Sequence, residues 1–255
     1  MLYIDKILGS MPYGKSKPIK IVANDGKIYI VKFRKDYMKG KDRSITNEYI
    51  AYRLIEELTL KIAPQVLKFI VIDDLAIKLA EKSNLSKDSL EYMKQSKGIN
   101  IAIEFLENCE KAEKNEVTNS FKKEVRTIDE IVMNDDRTID NTNILKDITR
   151  KNKFYAIDWG LSFDSSELYS DVKQKNISKR FMYYMNADVV KRPEYIFRDI
   201  SSFKTLNIKD IEGIIRKIVD EIPDDWETKS CSKDIAEILI YRVSNKIKHS
   251  KKGVL

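Results

Sequence analysis

The chain has 255 residues, of which 42% are hydrophobic and 34% are charged, and its formal net charge is +7. This composition is typical of a globular protein that is long enough for one large domain or for two lobes with separate cores. The two cysteines provide no disulfide framework, and the single histidine excludes most histidine metal sites and Ser-His triads. Because no apolar run approaches the roughly 20 residues that a membrane helix needs, we expect no membrane partner.

The first residues predict a cellular location, and the distribution of basic residues bears on whether nucleic acid is a ligand. The residues from Met1 to Met11 lack the apolar core and cleavage site of a signal peptide, which predicts a reducing, cytoplasmic location. Basic residues are spread along the chain, with one dense cluster from Lys246 to Lys252. Such charge attracts nucleic acid in many proteins, but the sequence has no zinc-finger spacing and no RNP-type aromatic motif. We therefore favour a solvated lysine-rich surface and do not expect nucleic acid as a direct ligand.

A β-hairpin is predicted near the N-terminus. Ile19 to Ala23 and Ile28 to Phe33 have the composition of strands, and Asn24-Asp25-Gly26 lies between them. The Asp-Gly pair favours a tight turn because it tolerates positive φ. Lys32 lies inside the second strand among apolar neighbours, where a lysine most often extends its charge to the sheet edge. The residue gains functional interest only if an acidic side chain faces it.

A helix is predicted to follow, with Ser44 as its N-cap and with an end near Leu58. Its apolar stripe has the spacing of one helical face and consists of Ile50, Ala51, Leu54, Ile55 and Leu58. Glu48 lies at the edge of this stripe, where it would point into the interface between helix and sheet and meet Lys32. The alternative is a surface glutamate in a helix that is rich in glutamate.

The order of the remaining elements predicts the fold class. Up to residue 107 further strands are expected at Val66 to Asp73 and at Ile99 to Leu106, while Leu75 to Lys82 fits either a strand or a helical turn. Beyond residue 107 stripes with helical spacing dominate, at Phe121 to Val132, Phe181 to Met185, Ile208 to Ile222 and Ala236 to Ile247. We therefore predict an α+β, two-lobed, protein-kinase-like fold. It has a small β-rich N-lobe with one helix (residues 1–107) and a larger, mostly α-helical C-lobe (residues 108–255).

The polar stretch between Ile131 and Leu161 is the most informative part of the sequence. Six Asp and Asn residues occur within ten positions, namely Asn134, Asp135, Asp136, Asp140, Asn141 and Asn143. Such residues are usually turn formers, which is the alternative interpretation. Further on, Phe154 to Ile157 predicts a short buried strand that ends on Asp158, followed by Trp159 and Gly160, where a carboxylate is poorly placed for packing.

This arrangement matches the needs of magnesium-dependent phosphoryl transfer. The stretch contains an aspartate followed five residues later by an asparagine, and then an aspartate at a strand end before a glycine. One carboxylate would orient the accepting hydroxyl, while an amide oxygen and a second carboxylate hold Mg²⁺ against the phosphates.

These residues resemble the HipA-like kinases, the single-domain bacterial relatives of the HipA toxin kinase. The resemblance rests on the order of a strand lysine, a helix glutamate, the loop N-D-D-R-T-x-D-N-T-N-I-L and the motif A-I-D-W-G. The family's loop typically reads N-x-D-R-x-x-x-N-x-N and its metal motif I-D-x-G. The segment from Ile222 to Trp226 is also similar to the family's C-terminal region, so the resemblance covers nearly the whole chain. The Asp-Arg start of the loop is similar to phosphoinositide kinases as well, and the acceptor class stays open.

The resemblance implies a role for each matching residue. Asp136 would be the catalytic aspartate, while Asn141 and Asp158 would hold Mg²⁺. Lys32 would bind the α- and β-phosphates of ATP, and Glu48 would orient Lys32.

A second register of the loop keeps the same spacing. Asp135 with Asp140 would replace the pair that starts at Asp136, but it places a carboxylate where the family has an amide. Asn134 and Asn143 are expected to brace the loop through bonds from side chain to backbone. Arg137 is expected to pair with Asp135 or with the metal carboxylate.

The phosphate-covering segment departs from the usual pattern, because the sequence has no G-x-G-x-x-G loop. Its place would be taken by residues 13–18, with Gly14, Lys15 and Ser16 as nucleotide-binding residues. We place the connection between the lobes near residues 104–108 and count Glu104 among the nucleotide-binding residues. HipA-type kinases are similar in using an atypical loop that carries a serine.

Ser16 is also a candidate regulatory site. A phosphate on Ser16 adds about −1.5 to −2 charges and would compete with ATP for Lys15 and Lys17, which flank it. The alternative is an ordinary loop serine beside two solvated lysines.

The predicted function is an ATP- and Mg²⁺-dependent kinase that phosphorylates a Ser or Thr of a protein substrate. The resemblance implies that it could be the toxin of a toxin–antitoxin pair, with an antitoxin as partner. The alternatives are a kinase of a small molecule or lipid head group, a pseudokinase that serves as a binding module, and a basic nucleic-acid binder. The complete set of charged site residues argues against a dead site.

Overall fold

The computed structural model describes residues 1–12, 14–35, 42–64, 66–164, 188, 193–197 and 210–252, with the backbone alone for residues 245–252. Two predicted features fall outside these ranges: the apolar stretch from Phe181 to Met185 and the start of the stripe at Ile208. Tyr13 of the expected phosphate-covering segment also lies outside them. Among the described residues, every helix is too short or too polar to cross a membrane.

The N-terminal part of the chain forms a closed barrel of five strands. These are β1 (Leu2–Ser10), β2 (Ile19–Ala23), β3 (Ile28–Lys32), β4 (Leu67–Ile72) and β5 (Gly98–Glu104). The order around the barrel is β1-β2-β3-β5-β4, and β1 closes it by pairing in parallel with β4. The pairing of β2 with β3 confirms the predicted hairpin, in which Gly26 has φ 76°.

Closure corrects the expectation of a plain β-rich lobe. β1 has nine residues and shifts register against β2 at two points, between Ile4 and Lys6 and between Ile7 and Gly9. Such bulges bend a strand and increase its twist. The bent strand reaches β2 with most of its length and β4 with its first residues, so the sheet closes.

The expectation of one helix in this part of the chain is wrong, because three are present. They are α1 (Arg43–Glu57), α2 (Asp74–Glu81) and α3 (Lys87–Gln95). The two additional helices have side-chain caps, which satisfy N–H groups that a helix start leaves unpaired. Asp73 accepts a hydrogen bond from Ala76 N at 2.8 Å, and Ser86 accepts one from Ser89 N at 3.2 Å. The segment from Leu75 to Lys82, which fitted either a strand or a helical turn, is therefore helical as far as Glu81, and the Asp73 cap stabilises its start.

Helix α1 places one side of its surface against the barrel. It begins two residues earlier than predicted, at Arg43 with Asp42 as the N-cap, and Thr46 N already donates to Asp42 O at 3.0 Å. Ser44 therefore lies in the first turn, and its expected role as N-cap is wrong. The predicted apolar stripe from Ile50 to Leu58 is buried, and Glu48 is completely buried with it.

Strand register directs Lys32 towards α1. Tyr29 and Val31 are buried inside the barrel, and Lys32 points the opposite way because side chains alternate along a strand. Lys32 pairs with Ile101 of β5, and Ile101 belongs to the hydrophobic core around α1. The outer face of the barrel at this point is therefore the face that packs on α1.

The C-terminal part combines helices with a small sheet. Its elements are α4 (Asn119–Ile131), β6 (Cys109–Lys111), β7 (Ile144–Asp147), β8 (Phe154–Ala156), α5 (Ile211–Asp220) and α6 (Ser232–Lys252). All three residues of β8 are buried, which confirms the predicted short buried strand before Asp158. It pairs with β7, which pairs with β6. This sheet brings the polar loop before β7 (residues 132–143) next to the turn after β8 (residues 157–161).

Candidate active site

Three charged side chains from distant parts of the chain meet in one cluster. Lys32 Nζ lies 3.1 Å from Glu48 Oε1 and 2.8 Å from Asp158 Oδ1. Lys32 comes from β3, Glu48 from α1 and Asp158 from the turn after β8. The expected pairing of Lys32 with Glu48 is thus present. Asp158 is 48% exposed in its side chain while Glu48 is fully buried, so the cluster opens towards solvent at Asp158.

The protonation tendencies of the cluster follow from burial and from mutual attraction. Burial raises the pKa of Glu48 above its ordinary value, and Lys32 opposes this shift only in part. Desolvation raises the pKa of Asp158, but the Lys32 ammonium outweighs it and holds that pKa below its ordinary value. Burial lowers the pKa of Lys32, yet the two carboxylates outweigh burial and raise it. Lys32 is therefore charged and Asp158 ionised at neutral pH.

Helix α1 also holds the turn that carries Asp158. Trp159 N donates a hydrogen bond to Glu48 Oε2 at 2.7 Å, and Asn47 Nδ2 donates to Gly160 O at 2.9 Å. Gly160 packs so closely on α1 that a Cβ atom there would lie 2.6 Å from Ser44 Oγ. Asp158 itself has φ 63°, a conformation that is uncommon for residues other than glycine. The contacts with α1 stabilise this turn.

The polar loop before β7 arranges its amides around Asp136. Asp136 Oδ2 accepts hydrogen bonds from Asn141 Nδ2 and Asn143 Nδ2, both at 3.0 Å. Because the amide nitrogen of Asn141 donates to Asp136, its amide oxygen is the atom of this side chain that could bind a cation. The expectation that Asn143 braces the loop through a side chain to backbone bond is wrong, since Asn143 Nδ2 bonds a carboxylate.

Asp136 and Asp158 influence each other electrostatically. Burial raises the pKa of Asp136, and the negative charge of Asp158 raises it further. Of the two registers left open by the sequence, the structure joins Asp136 with Asn141. The backbone carbonyl of Asp140 accepts a hydrogen bond from Lys111 Nζ at 2.6 Å.

Asp129 of α4 is a buried polar residue that the sequence analysis missed. Arg137 Nε donates to Asp129 Oδ2 at 2.8 Å, and both side chains are completely buried. The expected pairing of Arg137 with Asp135 or Asp158 is therefore wrong. Asn134 Nδ2 donates to Asp129 Oδ1 at 3.0 Å, so its expected bond to the backbone is wrong too. A signal existed: the acid lies four residues after Val125 on the apolar stripe of α4, where burial is expected.

The residues present fit a magnesium ion that arrives with a nucleotide. In the described ranges, no group of three or more His, Cys, Asp or Glu side chains could hold a metal by itself. Mg²⁺ is commonly held by one or two carboxylates together with substrate phosphates and water. The half-exposed carboxylate of Asp158, with the amide oxygen of Asn141, meets this requirement. The donor set fits a nucleotide-bound ion better than a closed protein cage.

The expected phosphate-covering residues are not joined to this cluster. Gly14, Lys15 and Ser16 lie in the loop between β1 and β2, which is closed by the Met11 N to Pro18 O bond of 2.9 Å. Within the part of the chain that the structure describes, no hydrogen bond or ion pair links these three residues to the Lys32 cluster. The loop instead contacts α3, because Ser89 Oγ donates to the carbonyl oxygen of Lys17 at 3.0 Å.

Glu104 lies near the end of β5 on the other face from Lys32. It pairs in register with Tyr29, whose side chain is inside the barrel. By strand alternation the Glu104 side chain shares that face. What Glu104 offers to a nucleotide beside Lys32 is therefore its backbone.

A cavity of about 790 Å³ borders the polar loop. Its lining includes Lys111, Lys122, Ile139, Asp140 and Thr142. Ile139 is 77% exposed. The loop that carries Asp136 and Asn141 thus forms one wall of this cavity.

Comparison with known proteins identifies the family. The model of the HipA-like kinase family matches residues 4–253, nearly the whole chain. The chain therefore belongs to the HipA-like kinase family, a family of phosphotransferases. Among solved structures, the crystal structure of the Golgi casein kinase is similar at 13% identity, covering 97% of this chain and 72% of that one, with a TM-score of 0.46. This similarity is too low to support a conclusion about a shared fold. A search of curated proteins gave no significant match.

Proposed function

We propose that this protein is an ATP- and Mg²⁺-dependent kinase that transfers the γ-phosphate to a Ser or Thr hydroxyl of a protein substrate. The observation that carries the proposal is the meeting of Lys32, Glu48 and Asp158 in one cluster, with ion-pair distances of 3.1 and 2.8 Å. The hydrogen bond between Asp136 and Asn141 adds the remaining groups that phosphoryl transfer requires. We retain the division into lobes at residue 107 as part of this proposal.

Each side chain contributes position or charge. Lys32 would bind the α- and β-phosphates, and Glu48 would hold the Lys32 ammonium beside Asp158. Asp158 and the amide oxygen of Asn141 would hold Mg²⁺, which neutralises charge on the phosphates when it is bound. Asp136 would accept a hydrogen bond from the acceptor hydroxyl, and its raised pKa makes it a better acceptor than an ordinary aspartate.

The acceptor would approach along the cavity beside the loop. Its wall includes Ile139 and Asp140, which belong to the same loop as Asp136, and this shared loop is the ground for proposing that the acceptor hydroxyl reaches Asp136 from this side. A surface of this kind suits a peptide segment, and a protein substrate or an antitoxin partner is proposed on that ground together with family membership. We also retain the cytoplasmic location and the role as toxin as parts of the proposal.

A second candidate is a kinase of a small molecule or lipid head group. The observation that favours it is the size of the same cavity, about 790 Å³, because small-molecule sites usually occupy about 300–1,000 Å³. A pseudokinase is less well supported, since the charged groups are all present and in contact.

The first experiment measures thermal stabilisation by ATP with and without Mg²⁺. A kinase should gain stability with ATP and gain more with Mg²⁺, because a ligand that binds only the folded state raises the melting temperature. Labelled γ-phosphate should then appear on protein or on a small acceptor, which separates the two candidates. Stabilisation without any turnover would support the pseudokinase, and no response to ATP would contradict the proposal.

A further inference from the structure

Asp129 accepts hydrogen bonds from four different side chains. Its Oδ1 accepts from Asn134 Nδ2 and Trp159 Nε1, both at 3.0 Å, and its Oδ2 accepts from Arg137 Nε and Tyr195 OH, both at 2.8 Å. The Asp129 carboxylate is completely buried, and Arg137 supplies the opposite charge. Each oxygen therefore has two donors.

Three of the four donors belong to the two motifs of the candidate active site. Asn134 and Arg137 lie on either side of Asp136 in the polar loop. Trp159 directly follows Asp158 in the turn after β8. One carboxylate thus contacts a neighbour of each aspartate on which the proposed chemistry depends.

The contacts of Arg137 tie the same two segments further. Its Nη1 donates to Asn143 O at 2.8 Å and to Ile157 O at 3.1 Å. Its guanidinium lies 4.8 Å from the centroid of the Trp159 ring. Asp129 in turn fixes the guanidinium from the opposite end through Nε. The side chain of Arg137 is therefore held at a defined place between loop and turn.

We propose that Asp129 is a positioning residue that couples the loop of Asp136 to the turn of Asp158. It does not touch the reacting groups. It sets their relative placement through Asn134 and Arg137 on one side and through Trp159 on the other. The proposal rests on the proposed kinase function for its kinetic consequence only, because the coupling itself is a property of the folded chain.

The chemistry of the site makes Asp129→Asn a sharp test. All four partners are donors, and an asparagine offers one acceptor oxygen where the aspartate offers two. In one orientation the amide NH₂ faces Arg137 and Tyr195, and in the other it faces Asn134 and Trp159. Either way one side of the connection loses its acceptor while the shape of the side chain stays the same.

Glu130→Gln is a matched control on the neighbouring position of α4. Glu130 and Arg242 form another buried ion pair, at 3.3 Å, with both side chains 1% exposed. This pair links α6 to α4, and Arg242 Nε also donates to Ile131 O at 2.9 Å. Both variants remove one buried negative charge, so both are expected to lower the melting temperature.

We expect the two variants to differ in turnover. Measured below both melting temperatures, Asp129→Asn should lower kcat for Mg-ATP turnover to ADP by about 100-fold, since small displacements of catalytic groups cost that much. Glu130→Gln should stay within a few-fold of wild type. Equal kcat in the two variants would overturn the proposal. A wild-type protein that neither binds nor turns over Mg-ATP would instead overturn the proposed function.

A second test does not need Asp129→Asn to fold. Asn134→Ala and Trp159→Phe each remove one donor to the same oxygen of Asp129, and the carboxylate stays in place. If they act through Asp129, their combined loss of kcat is smaller than the product of the single losses. Losses that multiply in full would show two independent effects and overturn the coupling.

A third readout is independent of catalysis. The chain has two tryptophans, so in a Trp226→Phe protein the single indole N–H resonance belongs to Trp159. Tyr195→Phe leaves Trp159 untouched but removes a donor from the other oxygen of Asp129, and it should shift this resonance. Glu130→Gln should not. An indole resonance that is unmoved by Tyr195→Phe would mean that Asp129 does not couple the donors on its two oxygens, and it would overturn the proposal.

Discussion

The loop around Asp136 and the loop between β1 and β2 were both expected to take part in phosphoryl transfer, but the structure holds them in different ways. Asn134 and Arg137 of the first loop donate hydrogen bonds to the buried Asp129 carboxylate. Asp136 itself accepts two amide hydrogen bonds at 3.0 Å. The second is closed by backbone hydrogen bonds, including Lys17 N to Gly14 O at 3.4 Å, and Lys15 is exposed.

The comparison distinguishes catalytic groups that are in place before a ligand binds from a loop that would cover the nucleotide only after binding. Groups that need defined geometry, such as a metal carboxylate, are positioned before any ligand arrives, in agreement with the general value of preorganisation. Because Gly14, Lys15 and Ser16 make no hydrogen bond or ion pair to the cluster among the described residues, we expect this loop to contact a nucleotide only once the nucleotide is bound. Variants of the first region should therefore change catalysis strongly, and variants of the second should act weakly and through affinity.

The largest effect is expected for Asp158→Asn. The substitution removes a charge from the proposed metal site without changing the shape, so Mg²⁺-dependent turnover should fall by about 1,000-fold or more. The melting temperature should fall modestly, because the half-exposed side chain loses its ion pair with Lys32. Asp147→Asn, in the neighbouring strand β7, serves as the control. Wild-type turnover in Asp158→Asn would exclude Asp158 as a metal ligand.

Asp136→Ala should lower phosphoryl transfer by about 100- to 10,000-fold and leave nucleotide affinity nearly unchanged. The reason is that Asp136 would orient the acceptor hydroxyl and not ATP. Steady-state kinetics with a binding titration separate the two quantities. Asp135→Ala, made in parallel, decides the register. A larger loss of turnover in Asp135→Ala would reverse our assignment.

Lys32→Met should weaken ATP binding, because a charge-assisted hydrogen bond of this type contributes about 1.5–3 kcal/mol. The free energy of unfolding should also fall, since Glu48 is left buried without its partner. Glu48→Gln should weaken ATP binding less and destabilise less, because it leaves no buried anion behind. Calorimetric titration and denaturant unfolding measure both effects. Unchanged ATP affinity in Lys32→Met would rule out its proposed contact with the phosphates.

The pH dependence of kcat should report on Asp136. Turnover requires the ionised carboxylate and should decline as the pH falls through the pKa of Asp136, which lies above its ordinary value because of burial and of Asp158. The hydrogen bond from Asn143 lowers this pKa, so Asn143→Ala should move the acid limb of the profile to higher pH. A limb that moves to lower pH, or does not move, would mean that another group controls it.

The smallest effect is expected in the loop between β1 and β2. Ser16→Glu places negative charge between Lys15 and Lys17 and should weaken ATP binding several-fold, since the site is partly exposed and screened by salt. Ser120→Glu, at the exposed start of α4, is the control. Intact-mass analysis after incubation with Mg-ATP, followed by peptide mapping, tests whether Ser16 receives phosphate. Full activity in Ser16→Glu, or an unmodified Ser16 in an active enzyme, would remove its regulatory role.

Local patterns in the sequence were sufficient for several elements and for the family. The hairpin was predictable because Asn24-Asp25-Gly26 specifies its own turn, and the stripe of α1 because a 3.6-residue period marks one helical face. The spacing of Asp136, Asn141 and Asp158 indicated phosphoryl transfer because the reaction needs one carboxylate to orient the acceptor and two oxygen ligands for the metal. The helical character of residues 75–82 was not predictable from apolar spacing, since its decisive feature is the Asp73 cap.

Tertiary structure alone decided which side chains meet. Lys32 and Asp158 are 126 positions apart and lie 2.8 Å from each other, and Asp129 binds Tyr195 across 66 positions. The sequence showed that Arg137 needed an acid, but several acids were near it in the chain, and only the packing of α4 against the loop selected Asp129. Barrel closure likewise depends on the bends in β1, which let this one strand pair with both β2 and β4. Periodicity and spacing are local properties, whereas the choice among equivalent partners depends on which buried faces pack together.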